Sequence, residues 1–234
     1  MTEHDLQGIF HRRGWLASQP EEFRKAWLDL AEFSELSAGE LLFSLGGPPG
    51  GIYGVAEGYA DVLIASGYIT PALAHIARPG WWVGEATALT GSPRRVEIRA
   101  RTDLKVCCVS LQGIESLEAR FPRLWRTLAQ LTVLHLDNAL MYASAVTKGD
   151  ARTKILSTLI RLAGPEMTND AVISVPCTQQ ELGEMAGLHR NSAGPALRSL
   201  EREGLISRVT YSQIDYNPVR LAHASERELS SGAR

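Results

Sequence analysis

Thr178-Gln179-Gln180-Glu181-Leu182-Gly183-Glu184-Met185-Ala186-Gly187-Leu188-His189-Arg190-Asn191-Ser192-Ala193-Gly194-Pro195-Ala196-Leu197-Arg198-Ser199-Leu200-Glu201-Arg202-Glu203 is the stretch that decides the reading of this chain. Thr178 followed three residues later by Glu181 is a capping box, in which each side chain satisfies the other's exposed backbone N–H, so a helix is predicted to begin there. Leu182, Met185 and Ala186 then recur at helical spacing and are expected to face a core. Gly187 can enter the left-handed conformation without steric cost and so can stop the helix abruptly. A second helix resumes within two or three residues, with Ala193, Ala196, Leu197 and Leu200 sharing one face. Two short helices joined by a tight glycine turn make a helix-turn-helix. In that motif the second helix enters the DNA major groove and offers its N-terminal residues to base edges. Here those residues are His189, Arg190, Asn191 and Ser192, followed by Gly194 and Arg198, with Thr178 and Gln179 assigned to the same interface. The alternative from these residues alone is a helical hairpin whose polar face is merely solvated.

Working outward, Leu205 to Arg208 and Ile214 to Tyr216 read as two short strands around Thr210-Tyr211-Ser212. That is a wing able to lie along a phosphate backbone. Before the motif, Arg152 to Ala163 reads as a helix and Ala171 to Val175 as a strand. The tail from Ser225 is polar and small and is expected to be disordered. Upstream, Pro122 to Val146 lacks Gly and Pro and reads as one long helix. Leu124, Leu128, Leu131, His135, Asn138, Tyr142 and Ala145 follow the 4–3 spacing of a coiled-coil seam. A second line through Val133, Leu136, Leu140 and Ala143 is assigned to the body of the chain. Two apolar faces on one helix predict a homodimer, with His135 and Asn138 fixing register.

Between Leu41 and Val109 the grammar is that of short strands separated by Gly- and Pro-rich turns, such as Gly46 to Gly51 and Arg78-Pro79-Gly80. This spacing suggests a compact antiparallel barrel or sandwich. The first 33 residues read as helices, one with Phe23, Ala26, Trp27 and Leu30 on a single face.

Composition narrows the function. At 234 residues two domains are expected. A net charge of -2 gives no global basic signature, and the ten Lys/Arg from Asp150 to Arg234 are balanced by ten Asp/Glu, so DNA affinity must come from local arginine placement. No apolar run reaches membrane-spanning length and no signal-peptide pattern stands at the start, which points to a cytoplasmic protein with no membrane partner. Three cysteines, Cys107, Cys108 and Cys177, fit neither a disulfide framework nor a metal-ligand spacing. Adjacent Cys107 and Cys108 in an apolar strand are expected to be inert. Four-cysteine iron–sulfur ligation is out of reach, and a lone histidine such as His75 or His135 is a weak haem ligand. No nucleophile–base pair or carboxylate pair at mechanistic spacing argues for an enzyme.

The order of helices, small β-barrel, long helix and winged helix-turn-helix resembles the bacterial Crp/Fnr family of transcription regulators. The resemblance runs from Trp15 to Tyr216. It rests on Trp15 to Phe23, Ala38 to Phe43, Ile52-Tyr53 with Glu57-Gly58, Pro79 to Glu85, and Thr178 to Ser207. It implies an α+β chain: an N-terminal antiparallel, jelly-roll-like β-roll sensor domain (1–120), a dimerisation helix and hinge (121–147), and a winged helix-turn-helix (148–224), before the tail (225–234). It further implies a homodimer acting on double-stranded promoter DNA together with RNA polymerase. Family members that bind cyclic AMP hold it with a Gly-Glu pair and an Arg followed by Ser or Thr. Gly84, Glu85 and Arg94 match, whereas Arg95 stands where the hydroxyl residue belongs. Ala139 and Leu140 stand where the family contacts the base. The resemblance therefore implies an anionic, nucleotide-like effector near Gly84, Glu85, Arg94 and Arg95, with cyclic AMP itself disfavoured. On the recognition helix, Asn191 and Pro195 replace the family's Glu and Arg. Pro195 predicts either a kink or a helix that starts late with Ser192 as its cap. A non-DNA-binding member with a decayed recognition helix is the alternative.

Overall fold

The computed structural model describes residues 3–65, 71–164 and 171–232. The chain divides into two compact units, Met1–Leu136 and Asp137–Arg234, and each is described by itself.

The first unit opens with α1 (Glu3–Phe10), α2 (Gly14–Ala17) and α3 (Glu21–Leu28). Pro20 precedes α3 and Glu21 and Glu22 occupy its first turn, where acidic groups favour the positive end of the helix. Strands β1 (Glu32–Leu36), β2 (Leu41–Phe43), β3 (Ile52–Glu57), β4 (Ala60–Ile64), β5 (Ala72–Ala77) and β6 (Trp82–Val83) follow. Then come α4 (Glu85–Thr90), β7 (Glu97–Ala100), β8 (Leu104–Val109) and α5 (Leu111–Ser116). The strands form two four-stranded sheets in the orders β1-β8-β3-β6 and β2-β7-β4-β5. Every recorded pairing is antiparallel, as in Tyr53 opposite Cys108 and Asp61 opposite Arg99.

Alternation along β3 and β8 builds two cores. Ile52, Ala56, Cys107 and Val109 turn toward the helices, where Phe10, Trp15, Phe23, Trp27 and Trp82 make an aromatic cluster. Val55, Leu104 and Val106 turn toward Val62, Ile98 and Ala100 of the other sheet. At Gly54 a Cβ would come within 2.8 Å of the Trp82 ring, so the aromatic cluster closes against bare backbone. The predicted barrel is thus present, with β1 and β6 added to the expected strands.

A long helix, α6 (Leu124–Lys148), runs through the division between the units. The first half of the expected seam belongs instead to the core. Leu124, Leu128 and Leu131 are buried in the aromatic core, at 1%, 0% and 3% exposure. His135 bonds to Glu85, and Asn138 is half-buried. Tyr142 lies beneath the Arg161 guanidinium, 5.5 Å from its ring centre. Val133, Leu136 and Leu140 are instead 52%, 53% and 57% exposed. Both lines have coiled-coil spacing, so periodicity alone cannot choose between them. His135 and Tyr142 of the first line have partners within the chain.

The second unit contains α7 (Ala151–Ala163), β9 (Ile173–Val175), α8 (Gln179–Met185), α9 (Arg190–Arg202), β10 (Ile206–Thr210), β11 (Gln213–Tyr216) and α10 (Pro218–Gly232). Asp150 caps α7 by accepting from the Thr153 N–H at 2.8 Å. Ile155, Leu156 and Leu159 of α7 are buried, as are Leu182, Met185, Ala193, Leu197 and Leu200 of α8 and α9. The sheet runs β10-β11-β9. The buried Tyr216 hydroxyl donates to the Leu159 carbonyl at 2.8 Å, tying β11 to α7. The tail expected to be disordered from Ser225 is helical through Gly232. Pro218 starts α10, Leu221 and Ala224 anchor it at 0% and 6% exposure, and neither Gly nor Pro interrupts it before Gly232. Among the described residues no helix is long and apolar enough to cross a membrane, and no His/Cys/Asp/Glu group could hold a metal ion.

Candidate functional site

The helix-turn-helix is built by local rules. Thr178 accepts from the Glu181 N–H at 3.2 Å, and Glu181 accepts from the Thr178 N–H at 2.8 Å, so the predicted capping box is complete. The Thr178 hydroxyl also donates to Glu181 at 2.9 Å. These bonds fix the start of α8. Gln179 beside it is half-buried. Gly187 turns the chain at φ +63°. A side chain there would be strained, and its Cβ would come 3.2 Å from Val146. Leu188 N–H reaches back to the Gly183 carbonyl at 2.8 Å. Gly183 in turn lets α9 approach, since a Cβ there would lie 3.1 Å from that of Ala193.

His189 is the N-cap of α9, without a side-chain cap bond, and its carbonyl accepts from both Ser192 and Ala193 (2.9 and 3.3 Å). The helix runs through Pro195 to Arg202, so Ser192 is not its cap and the late start is corrected. Because proline has no N–H, the Asn191 carbonyl lacks the donor that residue 195 would ordinarily supply. His189, Asn191, Ser192, Pro195, Arg198 and Arg202 are exposed, and Gly194 is half-buried. Arg190 opens α9, and its side chain lies outside the described residues. Asn191, Pro195, Arg198 and Arg202 follow 4-3-4 spacing and therefore share one stripe of the helix.

Arg202 and Arg208 were not among the predicted site residues. A groove of about 540 Å³ is lined by Pro195, Arg198, Glu201, Arg202 and Arg208. Arg208 of β10 forks onto Glu201, with Nε 3.0 Å from Oε2. The hydrogen bond from Arg208 holds the Glu201 carboxyl below its ordinary range, so the one acidic side chain of the groove is neutralised in place. Arg198 and Arg202 set the sign of the groove. At the far end of α9, Arg152 clamps Glu203 through two bonds of 2.7 Å. The four-residue step from Arg198 to Arg202 was the signal available in the sequence for the second arginine. Tyr211, at the turn of the wing, is 77% exposed.

In the first unit the residues that the resemblance assigns to an effector come from separate segments. Gly84 has φ +111°, and a Cβ on it would come 2.7 Å from the Gly51 carbonyl and 2.8 Å from the Arg94 guanidinium. Arg94 is 5% exposed and donates twice to the Gly51 carbonyl, at 3.1 Å each. Its guanidinium also lies over the rings of Phe43 and Tyr53, at 4.3 and 5.5 Å. Burial lowers its pKa, a shift that leaves an arginine charged. Glu85 is not its ion-pair partner. The Glu85 Oε1 lies 2.9 Å from Nδ1 of His135. Burial pushes the Glu85 carboxyl up, but the hydrogen bond and charge of His135, with backbone N–H groups, outweigh it and hold it below its ordinary value. A carboxylate can only accept, so Nδ1 carries the shared proton. The His135 ring lies 5.2 Å from Trp81 at a tilt of 36°, and Trp81 lies 5.7 Å from His75 at a tilt of 33°. Arg95 is exposed.

The contacts by which family members hold cyclic AMP are incomplete in this chain. Glu85 is taken by His135, and Arg94 is satisfied by a carbonyl and two ring faces. Arg95 supplies no hydroxyl, and Ala139 and Leu140 have no group to hydrogen-bond a base. Cys107 is buried, which pushes its thiol up and disfavours the reactive thiolate. Cys108 faces the opposite side, and burial raises its thiol as well.

Residues 33–121 match the family described as Cyclic nucleotide-binding domain, and residues 153–218 match the Crp-like helix-turn-helix domain. Among curated proteins, the chain is similar to the transcriptional activator protein FnrL of Cereibacter sphaeroides, at 25% identity over 47% of this chain and 48% of that one. It is also similar to the cAMP-activated global transcriptional regulator CRP of Pasteurella multocida, at 30% identity over 55% of this chain and 63% of that one. The chain thus spans between about half and two thirds of the length of these relatives. Among solved structures, FixK2 from Bradyrhizobium japonicum superposes with TM-score 0.69 at 18% identity, covering 82% of this chain and 96% of that one. The c-di-GMP responsive global regulator CLP of Xanthomonas campestris gives TM-score 0.63 at 22% identity, covering 85% and 100%. At these identities the structural likeness speaks for the fold.

Proposed function

Since this chain belongs to the Crp/Fnr family of transcription regulators, we propose that it is a homodimeric regulator that binds double-stranded promoter DNA sequence-specifically through α9. The observation that carries the reading is the exposed stripe Asn191-Pro195-Arg198-Arg202 on a helix whose other face is locked into a capped helix-turn-helix. Asn191 has the fork needed to pair with adenine, and the two arginines supply phosphate contacts that the near-neutral composition does not. In this reading residues 1–120 are the sensor, 121–147 pair two copies, and 148–224 bind DNA, with RNA polymerase as the downstream partner. The pairing surface is the outward line of α6, namely Val133, Leu136, Leu140 and Ala143, replacing the line expected from the sequence. The sensor ligand is not a cyclic nucleotide held in the family's manner. An anion at Arg94 would share its N–H donors with the Gly51 carbonyl.

Selection from a random duplex library by the purified protein tests the proposal. The expected result is a palindrome whose half-site centres are about one helical turn apart. Recovery of unenriched sequence, or of a single non-repeated half-site, contradicts it.

A further inference from the structure

Pro195 is the residue on the DNA-facing stripe that composition and charge leave unexplained. Six positions into α9 it removes a helical hydrogen bond, at a cost of about 3 kcal/mol relative to alanine in a helix interior. Nothing in the packing requires it: Pro195 is exposed, while Ala193, Ala196 and Leu197 around it make the core contacts. Proline does bring a compact, rigid set of methylenes that loses no side-chain freedom on contact. It lies one helical turn beyond Asn191, about 6 Å along the axis, and borders the groove that holds Arg198 and Arg202. In the major groove the one apolar group on a base edge is the C5-methyl of thymine, which is read by apolar contact.

We propose that Pro195 is a specificity-determining residue that reads a thymine methyl group in each half-site. This deepens the DNA-binding reading and rests on it. Asn191 and Pro195 then form a two-part reader: the amide selects adenine, and the pyrrolidine ring selects a thymine one or two base-pair steps away, since about 6 Å spans that many steps of about 3.4 Å. The neighbouring Arg198 guanidinium, which comes within 3.5 Å of a Cβ placed at Gly194, lies back along the helix toward this pair. A thymine reader at this position explains an exposed apolar residue on a face otherwise made of hydrogen-bonding groups.

The experiment takes the duplex selected by wild-type protein and replaces each thymine, one at a time, with deoxyuridine, which lacks only the methyl group. One thymine per half-site is expected to show about fourfold weaker binding on this change, the effect of leaving one methyl-sized group unburied. In Pro195→Ser, a small polar replacement that restores the backbone N–H, the same change at that thymine should have no effect. Thermal unfolding of Pro195→Ser at or above the wild-type midpoint shows that the helix is intact. Indifference of wild type to deoxyuridine at every position overturns the inference, as does an equal methyl dependence in Pro195→Ser. Either result leaves the DNA-binding reading standing. A wild-type protein that enriches no sequence at all sinks that reading, and the inference with it.

Discussion

Replacing Leu136 and Leu140 together by glutamate should convert the protein to monomers without unfolding it. The two side chains are 53% and 57% exposed in the single chain. Complete burial of a leucine contributes about 1.5–3 kcal/mol, so covering the exposed half of one is worth about 1 kcal/mol. A symmetric pair buries this amount four times, giving about 4 kcal/mol, or about a thousandfold in the association constant. The substitution also places unpaired like charges opposite each other at the seam, which adds to the loss. Within one chain the same changes sit in water and should alter stability by no more than about 0.5 kcal/mol. Leu131→Ala is the contrast. At 3% exposure Leu131 belongs to the aromatic core, and truncation should cost about 2–5 kcal/mol of stability with no separate effect on association. Sedimentation velocity at micromolar protein, paired with urea unfolding, reads both quantities. A double variant that still dimerises with wild-type affinity refutes the outward line as the pairing surface. Loss of the dimer in Leu131→Ala with unchanged unfolding would restore the line expected from the sequence.

Two further expectations follow from the caps and the buried pair. Thr178→Ala removes half of the capping box and should cost about 0.5–2 kcal/mol, read as a lower urea midpoint; an unchanged midpoint contradicts the role given to it. Glu85 is held below its ordinary value of 4.5 in the folded chain, so its contribution is full above that value and is lost as pH falls through the lowered folded value. Wild type should therefore lose more stability than Glu85→Gln on acidification below about pH 4.5, and parallel pH profiles of the two would contradict the Glu85–His135 bond.

What the sequence disclosed was what neighbours in the chain decide. The Thr178–Glu181 box, the Gly187 turn and the buried face through Ala193, Leu197 and Leu200 all appear where expected, because a cap and a helical period are properties of a few adjacent residues. Strand β1, Glu-Phe-Ser-Glu-Leu, escaped because only its Phe33 and Leu36 are even half-buried, leaving little alternation to detect. The two lines of α6 both carry periodic signal, and burial of Leu124, Leu128 and Leu131 is set by core residues distant in the chain, such as Trp15 and Trp27. The buried setting of Arg94 was equally illegible. It depends on Phe43, Gly51, Tyr53 and Gly84 arriving from different strands and turns around one guanidinium. Pro195 was visible as an anomaly, but its position on the outward stripe required knowing that α9 begins at Arg190 and runs unbroken past it.

Sequence reading by α9 is tested by the ratio of affinities for the selected palindrome and a scrambled duplex of the same composition, measured by fluorescence anisotropy at one stated salt concentration. A preference of at least about a thousandfold is expected. Asn191→Ala should lower discrimination at a single base of each half-site by about 1–3 kcal/mol. Equal binding of the two duplexes by wild-type protein, falling with salt alike for both, would mean that α9 holds phosphates and reads no sequence.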